Sequence, residues 1–367
     1  MAYNYYSQLI LLLFAVIAIY LPGPHSDVLA DTNNVVNVNI DYGRVAGRTS
    51  EEFLSLTIGA GAVGRNFSGL DLESERMINI GTALAPAVLR FGGTAADYIT
   101  YNMSDYLIRQ GSYPNHGGKP LDNQHSSLGL DRGYSSEQTT MTAGQWDYLN
   151  EYMKSTGLSL VFGLNSQKRK EDGSWNIDNA RELIDYTKKK AYKVNYELGN
   201  EPDLYYEHTG ELVVSGGQLA EDFRVLADYL KDTTDSYSLC GPDVATLDRG
   251  HFFQTFLNKT AEIGVGPNVI TWHQYYGSGR TFKLEDFYSA NVLDKLIAKL
   301  GTVKDMLKDA GLRHAEVAGQ ARAHSSVQLY THLSANALRR IVRSDRFSQR
   351  ITFARFLCIT CVQAAHG

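Results

Sequence analysis

Cysteine is nearly absent from this chain, with three in 367 residues. Cys240 stands alone in an apolar stretch, where it reads as a buried thiol, and Cys358-x-x-Cys361 has no second ligand pair. That set supports neither a disulfide framework nor a zinc site, so no metal is assigned. An excess of basic charge is missing too. The formal net charge is -5 and the pI about 6.1, which excludes the global positive field that nucleic-acid binding uses. Long apolar runs are also lacking. The longest, Leu9 to Leu21 (LILLLFAVIAIYL), is shorter than the roughly 18 residues of a membrane-crossing helix. It reads as the core of an export signal ending near Val28-Leu29-Ala30, which sets residues 1–30 aside from the fold and implies a secreted or lysosomal protein. The segment before it holds no Lys or Arg, so an uncleaved anchor at 9–21 stays open.

Apolar material is plentiful: 43% of residues are hydrophobic and 20% charged, enough for one large core. Three Asn-x-Ser/Thr sequons, at Asn66, Asn102 and Asn258, fit an exported glycoprotein. Short apolar or β-branched runs alternate with amphipathic stretches, the pattern of a parallel sheet with crossover helices. The runs predict strands at Leu54 to Ile58, Ala87 to Arg90, Leu158 to Gly163, Val194 to Leu198, Leu239 to Val244, Val269 to Tyr275 and Ala315 to Ala318. Helices are predicted at Leu72 to Leu84, Gly144 to Thr156, Asn179 to Lys190, Gln218 to Lys231, Phe252 to Ile263 and Val292 to Leu312. Seven strands of this kind make an α/β fold one short of a (β/α)8 barrel. Val35 to Ile40 alternates in strand fashion outside the series, so 31–45 reads as part of a separate β layer, and the barrel domain as 46–320. Residues 110–140, rich in Gly, Ser, His and Asn, read as an exposed loop, an excisable linker or a lid.

The most informative local feature is VNYELGNEP at 194–202, a strand that ends in Asn200-Glu201-Pro202. A carboxylate fixed where a strand gives way to a loop can do acid–base chemistry on a substrate in a strand-end cleft. It can equally be a loop glutamate stiffened by Pro202.

Five motifs then agree in order and spacing: Arg90-Phe91-Gly92-Gly93-Thr94, Phe162-Gly163-Leu164-Asn165, VNYELGNEPD, Cys240-Gly241-Pro242-Asp243-Val244 and TWHQYYGSGRT at 271–281. From about Val35 to about Gly319 the chain resembles glycoside hydrolase family 79, the heparanases. The resemblance implies a (β/α)8 TIM barrel with a β-sandwich built partly from the N-terminal strand, and retaining cleavage of β-glucuronidic bonds in heparan sulfate. No cofactor is implied. Glu201 matches the general acid/base, whose pKa has to lie above that of a free carboxylic acid for double duty. Asn200 matches the residue that hydrogen-bonds the sugar beside the scissile bond. His273 and Tyr275 match cleft residues that hold the nucleophile and the sugar, and a two-residue repeat points both the same way; without the family, the strand reads as amphipathic packing. Arg280 matches a cleft arginine suited to carboxylate or sulfate, and Thr94 a sugar-contacting residue, although a turn role is as natural. Lys168 and Lys170, just after a strand, lie on the side where barrel active sites open and are candidates for sulfate contact. Lys188-Lys189-Lys190 precede a strand and read as a solvated helix end.

The resemblance breaks at the second carboxylate, which a retaining enzyme needs about 5 Å from the first. Where the family has Gly-Glu after the seventh strand, this chain has Gly319-Gln320. Gln320 cannot form a glycosyl-enzyme. Glu316, four residues earlier on a strand, would sit about 13 Å away. Residue usage also changes: from Asp309 to Gly367 there are eight arginines and no lysine, against twelve and fifteen in the 308 residues before. Residues 321–367 thus read as a divergent basic tail or as the product of an altered reading frame.

Overall fold

A computed structural model describes Gly43, residues 51–106, residues 138–312 apart from Leu212, Asp235, 278–280, 282, 284, 287 and 288, and residues 326–331. Two compact units divide the chain, 1–46 and 47–367. Of the first, only Gly43 is described, so the signal, the possible anchor and the strand at Val35 to Ile40 lie outside the described residues.

The second unit is built on seven parallel strands: β1 (Leu54–Gly59), β2 (Ala87–Gly92), β5 (Ser159–Leu164), β6 (Val194–Leu198), β7 (Leu239–Val244), β8 (Val269–Gln274) and β9 (Ser326–Thr331). They pair in that spatial order. Such near-continuous apolar runs suit strands covered on both faces, and every residue of β2 and β7 is buried. A separate parallel pair joins β3 (Ile99–Asn102) to β4 (Thr139–Thr142). Helices return the chain between strands: α1 (Glu75–Leu84), α2 (Ala143–Thr156), α3 (Asp178–Lys189), α4 (Tyr205–Thr209), α5 (Gly216–Thr233), α6 (Phe252–Ile263), α7 (Ala290–Leu293) and α8 (Lys295–Asp309). Side-chain caps fix several starts. Ser74 accepts from the Met77 amide before α1, and Thr142 and Gln145 form a reciprocal capping box before α2.

Alternation along each strand sorts side chains into two layers. Leu89, Phe91, Leu160, Phe162, Tyr196 and Leu198 join the large core under the helices, where Phe91 stacks on Phe162 at 5.6 Å and Trp146 of α2 meets Phe162 edge-on at 4.7 Å. Val88, Val161 and Cys240 form a small cluster on the opposite face, with Val269 against it. Arg90 of β2, on that inner face, reaches Asp243 of β7. The two strands are three places apart, about 14 Å in a flat sheet, so the side chains meet only because the sheet curls. The fold is an incomplete (β/α)8 barrel. Among the described residues β1 pairs only with β2 and β9 only with β8.

Six expected strands and five of the six expected helices form within a few residues of their predicted limits, with differences of physical interest. The place beside β8 is taken by Ser326–Thr331, whereas the predicted strand at Ala315 to Ala318, with Glu316 and Gln320, lies outside the described residues. The helix expected over 292–312 forms as two pieces, α7 and α8, that meet at Asp294. The loop expected at 110–140 ends earlier, because Thr139 and Thr140 belong to β4; residues 107–137 lie outside the described residues. The β3–β4 pair escaped the sequence because each strand is four residues long and the partners are far apart in the chain. Its anchor is tertiary: Asn179 of α3 accepts from the Tyr101 amide and donates to the Tyr101 carbonyl, both at 2.8 Å.

Candidate active site

The turn after β6 carries the site. Gly199 has φ of 81°, and a Cβ there would meet Ser166 Oγ and Tyr205 Oη at 2.5 Å, so only glycine fits the approach. Glu201 itself has φ of 51° and ψ of 53°, a left-handed conformation that a non-glycine residue holds only where its surroundings dictate it. Three bonds do so. The Asn200 amide donates to Asp97 Oδ2 at 3.0 Å, the Glu201 amide donates to the Asp243 carbonyl at 2.9 Å, and the Glu201 carbonyl accepts from the Leu204 amide at 2.8 Å. Asp97 is itself buried, and its Oδ1 accepts from Tyr205 Oη at 2.8 Å and the Ser166 amide at 3.3 Å.

Glu201 is 7% exposed at the C-terminal ends of β6, β7 and β8. His273 Nδ1 lies 2.7 Å from its Oε1, and Tyr275 Oη donates to the same oxygen at 3.4 Å. His273 on β8 and Tyr275 just after it thus meet at one oxygen. His273 Nε2 lies 3.3 Å from Asp243 Oδ2. Asp243 reaches the interior through an irregularity: the β7–β8 register shifts between Pro242 and Val244, and Asp243 has φ of 58°, which turns inward a residue that strict alternation would send outward. Beneath lies Arg90, fully buried, whose Nε donates to Glu197 Oε1 at 2.6 Å and whose Nη2 donates to Asn200 Oδ1 at 3.1 Å and to Asp243. Asn200 Nδ2 donates to Thr94 Oγ1 at 3.4 Å.

These contacts set the charge states. One guanidinium serves two carboxylates, and only one can keep a full negative charge cheaply. Burial pushes Glu197 up to about 8, against the pull of Arg90. Burial acts the same way on Asp243, but Arg90 and His273 overcome it and hold that carboxyl well below its ordinary value. Burial would lower His273, yet Asp243 and the bond to Glu201 raise it to about 9. For Glu201 burial acts upward, and the bond and positive charge of His273 outweigh it, so the carboxyl sits below its ordinary value. This departs from the raised value expected of a general acid, and the cause is the imidazolium beside it. Burial takes Asp97 to about 7 despite its three donors.

The structure thus gathers Thr94, Asn200, Glu201, His273 and Tyr275. His273 bonds Glu201 itself, where the resemblance implied contact with the opposite carboxylate. Lys168 is half-buried and Lys170 exposed, both after β5 on the same side as Glu201. Arg169 between them pairs with buried Asp222, so the three residues do not form one patch. Arg280 and Gln320 lie outside the described residues. Of the sequon asparagines, Asn258 is exposed on α6, while Asn66 accepts from Gln145 Nε2 at 2.9 Å and Asn102 from Ser104 Oγ at 2.7 Å. Among the described residues no three His, Cys, Asp or Glu side chains group as a metal site. The sequence motifs by themselves assign no role to Arg90, Asp97, Glu197 or Asp243. The available signal was a charge inside an apolar run, as in AVLRFG and VNYEL, where a covered parallel strand carries none without purpose.

The sequence profile described as glycosyl hydrolase family 79, N-terminal domain, matches residues 64–328. The chain belongs to that family. Among curated members it is 31% identical to mouse heparanase over 305 residues, covering 76% of this chain and 56% of the relative. It is 26% identical to mouse inactive heparanase-2, over 70% of this chain and 50% of the relative. A hyaluronoglucuronidase of Hirudo nipponia is 27% identical over 75% of this chain and 56% of its own length. The chain spans about half the length of these family 79 relatives.

Proposed function

We propose that this chain carries the sugar cleft and proton donor of a retaining β-glucuronidase acting on heparan sulfate, with Glu201 as general acid/base. The observation that carries the reading is Glu201 itself, buried at the strand ends with His273 and Tyr275 on one oxygen and Asn200 beside it. Thr94, Asn200 and Tyr275 would hold the sugar, and Lys168, Lys170 and Arg280 the acidic groups of the polysaccharide. With Gln320 at the nucleophile position, the chain as it stands binds the substrate and forms no glycosyl-enzyme. Export to the cell exterior or lysosome, glycosylation at Asn66, Asn102 and Asn258, and anchoring through 9–21 if uncleaved belong to the same reading.

The similarity to a relative named inactive heparanase-2 favours a second reading, a heparan-sulfate-binding protein that does not catalyse. One comparison separates the two. The full chain and Gln320→Glu are assayed for heparan sulfate binding and for release of new reducing ends. Cleavage that appears with Gln320→Glu, and falls by about 100-fold or more when Glu201→Gln is added, supports the glycosidase. Binding by both chains without cleavage supports the second reading, and binding by neither removes both.

A further inference from the structure

We propose that His273 stores the proton that Glu201 delivers, and that Asp243 is the positioning residue that keeps Nδ1 of that imidazole aimed at Glu201. The inference rests on Glu201 being the proton donor. Geometry carries it. The side chain is 2% exposed and lies between two carboxylates, with Nδ1 at 2.7 Å from Glu201 Oε1 and Nε2 at 3.3 Å from Asp243 Oδ2. A carboxylate only accepts, so a ring hydrogen-bonded to one carboxylate through Nδ1 and within ion-pair distance of another at Nε2 suits both partners best as imidazolium. Glu201 beside it is then an anion, which cannot protonate a glycosidic oxygen.

Moving the proton from His273 Nδ1 to Glu201 resolves this. The product is a neutral carboxylic acid and a neutral imidazole, protonated on Nε2, the nitrogen that faces Asp243 at 3.3 Å. No electron changes hands. A sugar that covers the cleft removes the water reaching Glu201, and loss of water favours the neutral pair over the ion pair. With a carboxylate restored by Gln320→Glu, that group bonds to the anomeric carbon as the C–O bond breaks, the leaving oxygen keeps the electron pair and takes the proton of Glu201, and Glu201 ends as the carboxylate that can take a proton from water when the glycosyl-enzyme is hydrolysed. Asp243 supplies a fixed acceptor because Arg90 holds it from below and Thr271 Oγ1 accepts its amide at 3.1 Å.

Other groups facing the pair are Tyr275 after β8, Asp203 after β6, His208 on α4, and Arg90 and Glu197 from the interior. Of these, Tyr275 touches the shared oxygen, and Tyr275→Phe serves as a control that leaves both carboxylates in place.

The test is ring-nitrogen NMR of histidine in the full chain, titrated from about pH 5 to about pH 10. The expected result is a His273 protonated on both nitrogens at neutral pH, titrating at about 9. Its midpoint should fall by about one unit or more in Glu201→Gln and in Asp243→Asn, and stay close to the parent in Tyr275→Phe. Asp243→Asn also strips Arg90 of a partner, so if that variant unfolds, Glu201→Gln decides. A neutral His273 at pH 7 in the parent chain, or a midpoint unmoved by Glu201→Gln, overturns the proposal. The measurement needs no turnover. Should the chain fail to bind or cut heparan sulfate while His273 titrates as expected, the proposed substrate falls and the shared proton stands.

Discussion

On strand β2, Leu89 and Phe91 face the helices while Val88 and Arg90 face the barrel interior, and the two faces meet different company. Outward lies a continuous apolar layer, with Trp146, Phe162 and Leu160 fully buried around Phe91. Inward lie the small apolar cluster of Val88, Val161 and Cys240 and then a ladder of charge: Arg90, Glu197, Asp243, His273 and Glu201. Apolar burial is non-directional and tolerates exchange, whereas a buried charge is tolerable only with its partners in place. The outer face therefore supplies stability, and the inner face fixes the protonation and position of one carboxylate.

Two substitutions of similar cost test that division. Arg90→Met removes the partner of both Glu197 and Asp243 and should destabilise by about 3–5 kcal/mol, the loss for breaking a buried pair from one side. Phe162→Ala opens a cavity beneath Trp146 and should cost about as much, ~3–5 kcal/mol. Urea denaturation checks both. The faces differ in a second readout: Arg90→Met should move the His273 titration, and Phe162→Ala should leave it in place wherever the protein remains folded. A shift of equal size from Phe162→Ala would show that the two layers are not separable.

The pH dependence of stability addresses the same contrast and comes next in size. Asp97, Glu197 and His273 have folded values of about 7, about 8 and about 9, each above the ordinary one. A raised value means that the folded chain binds the proton more tightly, so the contribution is complete below the ordinary value and lost as pH rises through the folded one. Asp243 and Glu201 are shifted downward and act oppositely, losing their contributions only as pH falls below the ordinary carboxylate range. The unfolding free energy should thus decline from about pH 5 to about pH 9. Glu197→Gln should flatten the decline up to about pH 8 and leave the part above it, which belongs to His273. A stability that rises across this window would mean that Arg90 keeps both carboxylates ionised.

How much of this was legible beforehand depended on whether a feature is local. The outer face was readable, because apolar runs and amphipathic periods are written in consecutive residues. Glu201 was readable too, since a strand ending in Asn-Glu-Pro announces its own geometry. Arg90 and Glu197 were visible as charges in apolar runs, but that they touch follows from curl, which no single segment encodes. Asp243 was hidden further: alternation places it on the outer face, and only the register shift after Pro242 turns it inward. The lowered Glu201 carboxyl was out of reach for the same reason, as it depends on an imidazole 72 positions away.

The mildest probe lies on the outer face, where β4 runs into α2. Thr142 accepts from the Gln145 amide at 3.2 Å, and Gln145 Oε1 accepts from the Thr142 amide at 3.1 Å, which together satisfy two donors left open at the helix start. Gln145 Nε2 also donates to the Val63 carbonyl and to Asn66, so the box fastens α2 to the segment after β1. Thr142→Ala should cost about 1 kcal/mol, read as a lower urea midpoint with an unchanged slope. Nothing in that change touches the inner face, so the His273 titration should coincide with that of the parent chain. If it does not, the helix layer is transmitting strain to Glu201, and the inner ladder owes its geometry to the outer packing as well as to its own charges.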